Sequence, residues 1–300
     1  KGSKELDTIT DIQLSPPYLQ IYCNKYKCIK CKEIQQRLLC EKCNDNEIVK
    51  YMTTWGRYKM NNVVVFGGIN GLGKIIADMW EELEIEKVMR TSRTINGSSD
   101  SLYNFDLQGE TISNELREAM KKSNCIVFNA YQTLEDDHSI WNTTIDSFNE
   151  DLALKRFTIN CFGYVRIIQQ LIKLRKEMLK NKEQLNDLVI VWMDANESKF
   201  NTKLMDGKHL ELNMAKTACK QILYTNAQIL ANLGIITICY DPGWLSYHGI
   251  SIDKIKSRSE FLISPKTSSL ALLNYISNMD IDKMYENKEF IKDVSVYDCL

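Results

Sequence analysis

The stretch Asn62–Trp80 (NVVVFGGINGLGKIIADMW) limits what this chain can fold into more than any other. An apolar run, Val63-Val64-Val65-Phe66, stops at Gly67-Gly68. Apolar positions then return at helical spacing after Gly71-Leu72-Gly73, at Ile75, Ile76, Met79 and Trp80. A buried strand, a glycine turn and a helix start, in that order, make the phosphate-holding unit of a dinucleotide-binding fold. Gly67 lets the chain turn sharply, Gly71 allows the backbone to approach a pyrophosphate, and Gly73 lets the helix pack closely on the strand. Asn70 and Leu72 complete the turn. The N–H groups of the helix start direct a partial positive charge at the phosphates.

The alternation of strand and helix continues downstream. Lys87–Arg90 reads as a second strand, followed by Thr91-Ser92-Arg93. An acidic residue there would grip the ribose hydroxyls of NAD; Arg93 instead suits a 2′-phosphate and favours NADP, with NAD the alternative. Leu102–Leu107 reads as a third strand, with Asp106 a candidate for the adenine pocket. Cys125–Phe128 is a fourth, running into Asn129-Ala-Tyr-Gln-Thr133. An amphipathic helix spans Phe157–Arg175 and holds Asn160 and Gly163. Leu188–Met193 is a fifth strand, and a helix from about Leu212 carries Lys216. Ile235–Tyr240 is a sixth strand, closed by Asp241-Pro242-Gly243-Trp244; a late helix at Pro265–Ile276 precedes a polar tail. The pattern predicts an α/β fold, a Rossmann-like doubly wound parallel sheet.

The N-terminal region has another character. Cys28-x2-Cys31 and Cys40-x2-Cys43 supply four thiolates at close range, the spacing of a tetrahedral four-cysteine zinc site. Four sulfurs leave no open coordination position, so the zinc is expected to be structural. The expected organisation is an extended arm (1–20), a small zinc-knuckle module (21–50), a linker (51–61) anchored by Trp55 and Tyr58, and the Rossmann domain (62–300). Lysines at 25, 27, 30, 32 and 42 with Arg37 make the module locally basic. Nucleic-acid binding is therefore one use for it, and docking against the main domain is the favoured one. Cys125, Cys161, Cys219 and Cys239 fall in apolar patterns and read as small core residues.

With 38 basic and 39 acidic residues, no global field argues for a nucleic-acid or membrane surface. The apolar runs are strand-sized, far below the roughly 20 residues that span a bilayer. No apolar secretory signal is visible, which points to the cytoplasm or another reducing compartment.

In their order, Gly67-x3-Gly71-x-Gly73, Asp106, the FNAYQT around Asn129, Ile159-Asn160-Cys-Phe-Gly163, the NMAK ending at Lys216 and Pro242-Gly243-Trp244 resemble the short-chain dehydrogenase/reductase family. The likeness extends to family members with a two-CxxC segment before the Rossmann domain. It implies a catalytic tetrad of Asn, Ser, Tyr and Lys, in which Tyr is the acid/base, Lys lowers its pKa and holds the nicotinamide ribose, and Ser orients a carbonyl. Asn160 and Lys216 match. The Tyr position, four before the lysine, is Leu212, and Asp194 and Ala195 stand where Ser is expected. The resemblance therefore implies a nicotinamide-dinucleotide-binding protein that is catalytically impaired or atypical and serves as a scaffold or sensor. The alternatives are an active NADP-dependent reductase with a substitute proton donor (Asp194, His209 or Tyr247; Ser198 is a displaced Ser), and an adaptor acting through the zinc module. Family members pair as dimers or tetramers, so the resemblance implies a homo-oligomer or a larger protein assembly.

Overall fold

The computed structural model describes residues 58–83, 85–94, 101–109, 111–131, 144–195, 210–245 and 262–299. It also describes three short strands near the N-terminus, β1 (Tyr26–Lys27), β2 (Ile34–Gln35) and β3 (Lys50–Tyr51). These pair antiparallel in the order β2-β1-β3. Cys28, Cys31, Cys40 and Cys43, the arm 1–20 and Trp55 lie outside the described residues, as do Ser198, His209 and Tyr247.

The main sheet has seven strands in the order β12-β9-β8-β7-β4-β5-β6. They are β4 (Asn62–Phe66), β5 (Lys87–Ser92), β6 (Leu102–Asn104), β7 (Cys125–Phe128), β8 (Leu188–Met193), β9 (Ile235–Asp241) and β12 (Ile291–Ser295). Every pairing in it is parallel. A small separate pair joins β10 (Trp244–Leu245) to β11 (Leu262–Ile263). The order reverses at β4, so β4 and β7 are neighbours whose connections leave in opposite directions. The crevice outside their carboxyl ends is where such sheets hold ligands.

Helices cover both faces: α1 (Gly71–Glu82), α2 (Asn114–Lys122), α3 (Glu150–Phe157), α4 (Gly163–Lys180), α5 (Leu210–Ala231), α6 (Pro265–Ser277), α7 (Ile281–Glu286) and α8 (Val296–Cys299). Alternate residues of one strand feed two cores. Val63 and Val65 pack with α1 and α6; Val64 and Phe66 pack with α2 and α4. This is why the central strands read as unbroken apolar runs: both of their faces are buried. Helix starts follow local chemistry. The Ser113 hydroxyl accepts from Leu116 N–H at 3.2 Å, and the Ser264 hydroxyl accepts from Thr267 N–H at 3.1 Å just ahead of Pro265.

Within the expected linker, Met60 is fully buried, and the Tyr58 hydroxyl lies 2.5 Å from the Asn124 carbonyl and 3.0 Å from that of Asp187. Two features depart from the sequence reading. The helix expected at 157–175 is two α-segments joined by a π-helical turn, Thr158–Phe162. The polar tail contains β12, which pairs along β9 and brings Phe290, Val294 and Val296 to the core between charged neighbours. The four internal cysteines are buried as expected.

Trp80 joins α1 to α6. It is fully buried, and its indole N–H donates to the Ser269 carbonyl at 3.4 Å. Trp80→Ala is expected to lower the unfolding free energy by about 3–5 kcal/mol, read from the urea midpoint at unchanged slope.

Candidate functional site

The phosphate turn is shaped by two close contacts. Gly67 has φ +78°, and a Cβ there would come 2.7 Å from Ala130 Cα. A Cβ on Gly73 would come 2.2 Å from the Gly67 carbonyl oxygen and 2.5 Å from Asn129 Nδ2. Only glycine lets α1 stand this close to β4. At Gly71, by contrast, an added Cβ would meet nothing within 4 Å. Asn70 caps α1 without a side-chain hydrogen bond, and the first turn carries no acidic residue. The helix start therefore points unshielded N–H groups and their partial positive charge into open space.

That space is a cleft of about 520 Å³ at the carboxyl ends of the strands, running from the turn past Arg93 and Asp106 to Asn129, Lys216 and Pro242. All the positions predicted from the sequence to hold the dinucleotide line it, except Gly73, which sits behind the turn, and Gly243. Gly243 has φ +75° and donates its N–H to Asp241 Oδ1 at 2.9 Å, which fixes the turn that presents Pro242. The second strand ends with two arginines in different employment. Arg90 is ion-paired with Asp78 and Glu81 of α1, at 2.5 Å each, and so clamps helix to strand. Arg93 is exposed on the rim. Asp106 accepts from the Gln108 N–H at 3.0 Å and so holds its own turn.

At the other end of the cleft, the loop after β7 is held from two sides. Ala130 donates its N–H to the Phe66 carbonyl at 2.8 Å, and the Tyr164 hydroxyl donates to the Ala130 carbonyl. Next in the chain, Tyr131 borders the cleft, and its hydroxyl is buried with no hydrogen-bond partner among the described residues. Burial pushes that hydroxyl's pKa up; Arg156 draws it down and Glu211 raises it. Arg156 and Glu211 form an ion pair buried almost completely.

Lys216 donates to the Met193 carbonyl at the end of β8. Its ammonium lies 5.7 Å from the centroid of the Tyr131 ring and 5.1 Å from that of Trp192. Asn160 falls in the π-helical turn, a deformation that recurs at functional positions. Its carbonyl accepts from Cys219 Sγ at 3.5 Å, linking the turn to α5 close to one helical turn beyond Lys216. Leu212 is buried on α5. Asp194 borders the cleft, but its Oδ2 is 3.1 Å from Lys220 Nζ, which also reaches Asp293 at 2.8 Å. The carboxylate is thus engaged with the sheet edge. Tyr131 and Trp192 are the site residues that sequence reasoning missed. Tyr131 was visible only as part of a polar loop, and Trp192 only as one apolar residue of a strand.

No protein-family model matches the chain, and no curated protein matches its sequence. Solved structures do match it. A carbonyl reductase from chicken fatty liver, with NADPH bound, superposes with a TM-score of 0.61 at 15% identity, over 82% of this chain and 95% of that one. The carbonyl reductase Sniffer of D. melanogaster gives 0.60 at 16% identity, over 80% and 97%. A short-chain dehydrogenase/reductase from Burkholderia multivorans with bound NADP gives 0.55 at 16%, over 79% and 96%.

Gly73→Ala is expected to destabilise the fold by about 1–3 kcal/mol, because the added methyl meets backbone that cannot rotate away; chemical denaturation measures it. The fold of this chain is the fold of short-chain dehydrogenases and carbonyl reductases.

Proposed function

We propose that this chain binds NADP(H) along the cleft at the β4–β7 switch point, as a short-chain dehydrogenase-like protein whose proton chemistry is impaired or atypical. The observation that carries this is the unshielded start of α1, where the Gly71 backbone faces open space and neither a capping side chain nor an acidic residue competes for the N–H groups. The residues fit the group. The turn from Asn70 to Gly73 receives the pyrophosphate, Arg93 the 2′-phosphate, Asp106 and Asn129 the adenosine half, and Lys216 with Pro242 and Gly243 the nicotinamide half. Two of the similar structures contain NADP or NADPH, which supports the choice of nucleotide.

When bound, the nicotinamide supplies a hydride acceptor or donor. Leu212 cannot pass the accompanying proton, because a hydrocarbon side chain has none to exchange at any accessible pH. Lys216 holds its charge toward the cleft, and Asn160 lies on the π-helical turn that Cys219 ties to the same helix. With the usual acid missing, nucleotide occupancy itself becomes the output, and the protein serves as a nucleotide-dependent scaffold or sensor. Titration of the purified protein with NADPH and NADH, followed by nicotinamide fluorescence, tests this. NADPH is expected to bind more tightly. Arg93→Ala is expected to narrow the preference about tenfold, in keeping with loss of a charge-assisted contact. Absence of binding by either nucleotide would refute the reading, and rapid oxidation of NADPH with carbonyl compounds would refute the sensor role.

For the N-terminal segment we propose a structural zinc held by the four thiolates of Cys28, Cys31, Cys40 and Cys43. What supports this reading is the sequence spacing alone: two Cys-x2-Cys pairs within sixteen residues supply four thiolates for one ion. Elemental analysis is expected to find one zinc per chain, lost in Cys28→Ser with Cys31→Ser.

A further inference from the structure

An ammonium drawn partly out of water needs partners, because removing charge from solvent without compensation is costly. In the tetrad that the sequence resembles, the lysine's neighbour one turn back is a tyrosine hydroxyl. Here that neighbour is Leu212, which offers no lone pair. Lys216 finds support elsewhere. The Met193 carbonyl takes one N–H, and the aromatic rings of Tyr131 and Trp192 stand 5.7 and 5.1 Å from its nitrogen. Both distances lie within the range over which a ring quadrupole attracts a cation. The two rings come from different elements, Tyr131 from the loop after β7 and Trp192 from β8. Trp192 packs edge-on against Tyr164 at 5.0 Å, and Tyr164 is hydrogen-bonded to the residue before Tyr131.

We propose that Tyr131 and Trp192 form an aromatic box that positions Lys216 to hold the nicotinamide ribose, taking over the anchoring that the absent tyrosine would give. The proposal rests on the dinucleotide reading above. Tyr131 acts here through its ring, as a positioning residue. Its hydroxyl plays no part in the box, so phenylalanine should serve as well. The box also makes the lysine a binding group: it holds the charge toward the ribose hydroxyls and has no phenol one turn back whose acidity it would tune.

The test is to titrate wild type, Tyr131→Leu and Tyr131→Phe with NADPH and, in parallel, with 2′,5′-ADP, which lacks the nicotinamide ribose. Tyr131→Leu should weaken NADPH about 2- to 30-fold, the range expected for one cation–π contact. It should leave the affinity for 2′,5′-ADP where it was, and Tyr131→Phe should recover most of the NADPH loss. Equal weakening of both ligands in Tyr131→Leu would mean a general loss of structure and overturn the box, as would an unchanged NADPH affinity. A loss in Tyr131→Phe as large as in Tyr131→Leu would assign the effect to the hydroxyl and also overturn it. If wild type binds 2′,5′-ADP and not NADPH, the box falls while the phosphate turn stands. If it binds neither, the dinucleotide reading falls and takes the box with it.

Discussion

The contact between Gly73 and the Gly67 carbonyl sets the distance between α1 and the end of β4, and much of the cleft follows from that distance. With no side chain at position 73, the helix start sits directly over the strand end, and its N–H groups open into the crevice rather than onto the sheet. The left-handed backbone at Gly67 brings the chain into contact with Ala130. Ala130 is in turn held by the Phe66 carbonyl and by Tyr164. Asn129 and Tyr131, on either side of it, therefore take their places from the same turn. One steric constraint at the glycines thus reaches the phosphate end of the cleft and, through Tyr131, the surroundings of Lys216 at the other.

The parts of this arrangement that sequence could reveal are those governed by local rules. Doubly buried strands have to be apolar along their whole length, so β4, β7, β8 and β9 stand out without any knowledge of their partners. The glycine turn is equally local, since its conformation forbids other residues. The edge strand β12 follows a different rule. Lys292 and Asp293 interrupt its apolar residues, so in isolation it reads as a polar tail. The π-helical turn at Asn160 was invisible for a further reason: one extra residue in a helical turn leaves the apolar period almost unchanged.

At the Lys216 end, sequence showed what was missing and not what replaced it. Leu212 is found by counting back from Lys216, because four residues of helix make a fixed step. Tyr131 and Trp192 lie well upstream in the chain, and only the pairing of β7 with β8 brings them to the same place. Asp194 shows the converse. Its position just after β8 marked it as a candidate acid, whereas Lys220 engages its carboxylate together with a partner from β12. Long-range ion pairing of this kind leaves no trace in local pattern.

The Lys220 bridge gives the last strand a meaning beyond closing the sheet. Asp293 on β12 and Asp194 on the cleft rim both reach the Lys220 ammonium, at 2.8 and 3.1 Å. Displacing β12 would strip β9 of its hydrogen-bonding neighbour and leave its open edge ready to accept a foreign strand. The same event would return Lys220 wholly to Asp194 and change the electrostatic balance at the rim. β12 is thus both the covering neighbour of β9 and, through Lys220, a distant counterweight to the charge at the mouth of the cleft.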